Sequence, residues 1–251
     1  MKLLASLVIA ASTAMFYTGL LPCPCELGAR LSSAFGGSCA PASDDVPLLG
    51  ATPVGVYLEA RNATVWGGAC HIGSEAVSQG TYAAAGWSFE GGAHGGADLT
   101  GVRVVSVVEG TSNLQAEHVF RAGGVPEIRA AIWVDAPDQR TADAAVAHVL
   151  TRMDHGTVLS VERASLAVEQ DGDAFQLRVP GVLNVEGEAL PDRSCCTMPE
   201  SLWYTPLATG CEAVVGNPST CRFAGHGDGA ARLSPWAFEG ENSAFVARLG
   251  A

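Results

Sequence analysis

The chain has 251 residues and 48% hydrophobic content, ample for a packed core in one large domain or two small ones, so it is not a disordered tail. Its 26 Asp and Glu outnumber its 14 Lys and Arg, for a formal charge of −12. No basic stripe is left to track a phosphate backbone, which argues against nucleic acid, and an anionic membrane surface would repel the body.

Residues 1–22 read as an export signal or an N-terminal membrane anchor. Lys2 precedes an uncharged stretch from Leu3 to Cys25, with Ser12 and Ala14 placed for cleavage before Met15. The apolar character resumes at Met15 and runs to Leu21, about the ~20 residues that a bilayer span requires. Either reading makes the protein exported: periplasmic, at the cell surface or secreted, and touching a membrane only through this segment. Residues 23–53 form a Gly/Ser/Pro-rich arm carrying Cys23, Cys25 and Cys39, candidates for disulfides in an oxidising compartment.

The body, 54–251, is expected to be a single β-rich domain. Val56–Trp66 is rich in strand formers and ends at Gly67-Gly68, directly before Cys70-His71. Tyr82–Phe89 is a second strand, closed by a glycine loop that carries His94. Val102–Val108 is a β-branched run suited to burial on both faces, and Ile128–Val134 is another. A helix is predicted over 138–155: Asp138 caps it, Ala142, Ala145, Val146, Val149, Leu150 and Met153 form one apolar stripe, and Gly156 ends it. His148 and His155 read as structural, His155 as a cation suited to the helix C-terminus. Beyond it, Val158–Glu169, the turn Asp171-Gly172-Asp173 and Phe175–Val179 suggest a hairpin, and Val182–Glu188 continues the β pattern. The fold class expected is α+β, mainly antiparallel β with this one helix packed on a sheet. Trp87-Ser88-Phe89-Glu90-Gly91 is echoed by Trp236-Ala237-Phe238-Glu239-Gly240, either by coincidence or as equivalent strand ends of a duplicated unit.

The densest chemistry lies in Cys195-Cys196-x-Met198. Adjacent cysteines strain a bond to each other, so each looks to a separate partner, and on an extended segment Cys196 and Met198 share a face. Thiolate and thioether are soft donors that select copper, with zinc the second choice where thiolates and imidazoles alone bind. Cys70-His71 is the natural complement. His94 and His226 are possible additional ligands, ranked above His118 because their glycine loops can move. Against a metal stands the even count of eight cysteines; Cys211 and Cys221 flank a Gly216-Asn217-Pro218 turn as a disulfide-closed loop would. There is no phosphate loop, dinucleotide fingerprint, nucleophile elbow or His-Glu-x-x-His.

Tyr57–His71, the Glu186-Gly187-Glu188-Ala189-Leu190-Pro191-Asp192-Arg193-x-Cys195-Cys196-x-Met198-Pro199 block and Asn242–Val246 resemble a bacterial family of domain-of-unknown-function proteins. The resemblance covers about Val54 to Leu249. It implies one domain over that range and places both cysteine blocks in the family pattern, with the Cys23–Cys39 arm outside it. It supplies no activity and no catalytic residues.

Three functions are therefore expected, in order. The first is an exported copper-binding protein that stores, delivers or senses the metal through Cys70, His71, Cys195, Cys196 and Met198. The second is a disulfide-stapled β domain that binds an envelope partner without metal. The third is a copper-dependent oxidoreductase, which would need an open coordination position.

Overall fold

The computed structural model describes residues 50–65, 80–115, 125–190, 204–238 and 243–250. In chain order the elements are β1 (Val54–Arg61), β2 (Tyr82–Gly91), β3 (Ala93–His94), β4 (Ala97–Asp98), β5 (Arg103–Gly110), β6 (Ile128–Asp135), α1 (Gln139–Arg152), β7 (Thr157–Arg163), β8 (Ala167–Asp171), β9 (Ala174–Val179), β10 (Leu183–Ala189), β11 (Glu212–Phe223), β12 (Trp236–Ala237) and β13 (Ala244–Leu249). Eleven strands make one sheet in the order β7-β6-β5-β2-β1-β13-β11-β10-β9-β8, with β12 added beside β11; β3 and β4 form a separate ribbon.

The antiparallel expectation is corrected by a mixed sheet. β6 and β7 pair parallel, Arg129 opposite Thr157 through Val134 opposite Arg163. The helix is the cause: α1 carries the chain back along the sheet, and a crossover of that length returns a strand in the same direction. The structure is thus mostly β with one described α-helix and a short 3-10 turn at Gly229–Ala231, α+β only in the broad sense.

Alternating side chains give the sheet two buried faces. On one face Tyr57, Ala83, Ala85, Trp87, Phe89, Val104, Ile132 and Val134 pack with Ala142, Ala145, Val149 and Met153 of α1. On the other, Val56, Leu58, Ala84, Val105, Val107 and Trp133 meet Val168, Phe175, Leu177, Val179 and Val185, because the sheet curls until β8 and β9 lie over β1, β2 and β5. Burial on both sides explains the unbroken valine run of β5. Gly86 marks the closest approach: a Cβ there would sit 2.4 Å from Leu177 Cδ1.

Local signals held where they were strong. Asp138 Oδ1 accepts from Thr141 N at 2.8 Å, but α1 stops at Arg152 with Met153, not Gly156, ending it, and Leu150, expected on the apolar stripe, is 43% exposed. Gly156 has φ +54°, and a Cβ would meet Ile128 O at 2.1 Å as the chain enters β7. Gly172, φ +59°, opens the two-residue β8–β9 turn, where a primed turn needs a left-handed residue. The glycine stretch around His94 is not a loose loop but the β3–β4 ribbon. Trp87 faces α1 while Trp236 sits in the opposite core, so the aromatic echo does not mark equivalent positions.

Candidate functional site

β1 carries a charged pair where apolar residues would be expected. Glu59 and Arg61, two apart and so on one face, are each about 0–1% exposed. Arg61 Nε donates to Glu59 Oε1, and Glu59 Oε2 accepts from the Tyr57 hydroxyl and from Leu207 N at 2.8 Å. Arg61 Nη2 donates to the Thr205 carbonyl and Nη1 reaches Gln115 Oε1 at 3.4 Å. The guanidinium lies over the rings of Tyr204 and Phe245, 5.1 and 5.7 Å from their centroids. Burial, with Glu59 beside it, holds the Tyr57 phenol well above its usual range. Such a network stands only because nearly every donor and acceptor is used.

The pair fastens several chain ends at one end of the sheet. Tyr204 N donates to Val65 O at 3.3 Å, Leu114 N to Gly80 O at 2.8 Å and Arg61 N to Ser243 O at 2.9 Å. Gln115 Nε2 donates to Thr205 Oγ1 at 3.1 Å, and Asn113 Nδ2 to Tyr204 Oη at 2.9 Å. Segments 66–79, 116–124, 191–203 and 239–242 leave and rejoin the described chain here. Cys70, His71, Cys195, Cys196 and Met198 all fall in two of them and lie outside the described residues, as do His118, Cys23, Cys25 and Cys39.

The expected Cys211–Cys221 bridge is corrected. Among the described residues both are free thiols. Cys211 directly precedes β11 and Cys221 lies near its far end, ten positions apart and on the order of 30 Å along an extended chain, whereas a disulfide needs Cα atoms within about 7 Å. Gly216-Asn217-Pro218 is not a turn but continues the strand, the proline accommodated at a register shift opposite Glu186 and Gly187. Burial pushes the Cys221 thiol up to about 12. Cys211, half-buried, is raised chiefly by burial and further by Glu59, with Arg152 opposing.

His226 takes part in a different site. Its segment crosses the open side of the curled sheet between β11 and β12, closed on itself by His226 N to Leu233 O at 3.2 Å and Leu233 N to His226 O at 2.8 Å. The strap is tied to the sheet through Arg129 Nη1 to Ala230 O at 3.2 Å and Ser234 N to Glu109 Oε2 at 2.8 Å, so the loop is pinned. His226 Nε2 bonds Glu162 Oε1 at 2.9 Å, and its ring stands edge-on to Trp133 at 4.9 Å. Ser160, Asp228 and Arg232 join them around an open cleft of about 730 Å³. The Ser160 hydroxyl is buried without a partner. Among the described residues no three His, Cys, Asp or Glu side chains gather at one point.

His94 and His148 meet at the far side. Their rings are 5.1 Å apart, and Phe89 lies 5.5 Å from His148. His155 is 3% exposed with Nδ1 on Met153 O, and burial lowers its pKa, so the cation expected at the helix end is a neutral imidazole.

Sequence reasoning missed Glu59 and Arg61 as an interacting pair and Glu162 as the partner of His226. Two opposite charges at alternate positions of an apolar strand were the readable signal for the first; nothing local marks the second, 64 residues from His226. No family model, curated protein or solved structure matches the chain.

Proposed function

We propose that this is an exported protein that binds a soft metal ion, copper in first place and zinc in second, through Cys70, His71, Cys195, Cys196 and Met198, to store, deliver or sense it. One observation carries the reading: Tyr204 N to Val65 O at 3.3 Å roots the two donor-bearing segments side by side. Cys70 follows Val65 by five residues and Cys196 precedes Tyr204 by eight, so at ~3.3–3.6 Å per residue both sulfurs are within tether reach of one point. The donor set is the soft one that favours Cu(I). Against the stapled-domain reading, Cys211 and Cys221, which it pairs, do not bridge each other. Metal analysis of the purified chain from copper-supplemented cells tests the proposal. Stoichiometric copper, lost in Cys70→Ser and Cys195→Ser, supports it; no metal, with Cys70, Cys195 and Cys196 all in disulfides, overturns it.

A further inference from the structure

We propose that His94 and His148 form a second metal site that takes a divalent ion of intermediate softness, Zn(II) ahead of Cu(II), through two imidazole nitrogens with water completing the shell. The site uses none of the sulfur donors. His94 lies beyond the Gly91 end of β2, on the order of 30 Å along the chain from Tyr82, where the donor-bearing segments are rooted.

The ring separation fits two ligands on one ion. A metal–nitrogen bond of about 2.0–2.1 Å puts a ring centroid about 3.2 Å from the ion, so two imidazoles at a tetrahedral angle have centroids about 5.2 Å apart. The observed separation is 5.1 Å, with the ring planes inclined at 66°. Both rings are part-exposed, and among the described residues none of their four nitrogens is in a hydrogen bond. The two donors also sit on stiff supports, one on α1 and one on a ribbon that α1 packs against. Arg140 Nη2 donates to Gly96 O at 3.1 Å, which fixes the ribbon turn to the helix.

Protonation favours the ligand form. Burial, then His94 and Arg152, hold His148 at about 4, so its lone pair is free at neutral pH. Arg152, one turn further along α1, repels a cation and keeps the affinity modest. Imidazole donors without thiolate select Cu(II) and Zn(II) over Cu(I).

The test uses the full chain with accessible thiols alkylated, titrated with Cu(II) alone and read by electron paramagnetic resonance and calorimetry. One equivalent with nitrogen hyperfine coupling from two imidazoles is expected. H94Q and H148Q should each weaken it more than about tenfold, the double variant should do no worse than either, and H226Q should keep it. His94 is at the exposed ribbon tip, so H94Q decides alone if H148Q fails to fold. No such equivalent in the wild type, unchanged affinity in H94Q, or loss in H226Q overturns the proposal. Cys70→Ser and Cys195→Ser should leave this equivalent intact, which separates its failure from failure of the sulfur site.

Discussion

Arg61 and Glu59 lie two residues apart on one strand face, both fully buried, and together hold the backbone at Thr205 and Leu207. Removing one partner leaves an uncompensated buried charge. Arg61→Met should therefore cost about 3–5 kcal/mol in urea unfolding, and Glu59→Gln a comparable amount. Glu90 and Arg248 give the contrast, with side chains 50% and 55% exposed. Arg248→Ala should cost under about 1 kcal/mol. Equal losses at the two sites would refute the assignment of the latch to Glu59 and Arg61.

Gly86 lets the curled sheet close. Its missing Cβ leaves room for Leu177 and Val168, both 1% exposed and unable to retreat into solvent. Gly86→Ala should destabilise by about 1–3 kcal/mol. Gly172→Ala is a useful control for backbone effects: nothing lies within 4 Å of a Cβ there, so its cost comes from φ alone.

The thiols of Cys211 and Cys221 should behave as two separate, unequal groups. On native, non-reduced protein, iodoacetamide should label Cys211 slowly, because burial and Glu59 raise its pKa. Cys221, buried and pushed up to about 12, should label only after unfolding. A tryptic peptide pair linking the two cysteines would show the bridge that the strand geometry rules out.

Some of this was readable in the chain and some was not. The α1 stripe, the cap at Asp138, the valine run of β5 and the turn at Gly172 are local, and each leaves a period or a punctuating residue. The parallel β6–β7 pair is legible only once the helix is seen as a crossover. The placing of β13 between β1 and β11 depends on partners far apart in sequence, which no period records. The same holds for the latch, where Arg61 meets a side chain 54 residues away and Glu59 a backbone amide 148 residues away. Asn217-Pro218 misled because proline marks turns, yet it also fits a bulged strand.

Stability should fall as acid is added, through His148 and His155. Both are held below the ordinary histidine value in the folded chain, chiefly by burial, His148 at about 4. The unfolded chain, with histidines titrating near 6.5, binds more protons between that value and the folded one, so unfolding is favoured as pH drops through this window. Their contribution is complete above about pH 6.5 and levels off near pH 4 for His148. Melting temperature against pH should therefore be flatter over that range in H148Q than in the wild type. An unchanged slope would show that His148 does not titrate differently on folding.

Copper retention should divide the cysteines by where their segments are rooted. Cys70 and Cys196 hang from Val65 and Tyr204, which share a backbone hydrogen bond, while Cys221 is sealed in the sheet core and Cys211 stands beside Glu59 on the helix side. Cys70→Ser, Cys195→Ser and Cys196→Ser should each lower bound copper by more than about tenfold at a fixed competing chelator, since each removes a soft donor that serine does not replace. Met198→Leu keeps the volume and removes the thioether, so it should weaken Cu(I) while sparing Zn(II). Cys221→Ala should retain full copper and lose stability through the cavity instead. If Cys221→Ala sheds copper as readily as Cys196→Ser with the fold intact, the metal is not held by the segments rooted at Val65 and Tyr204.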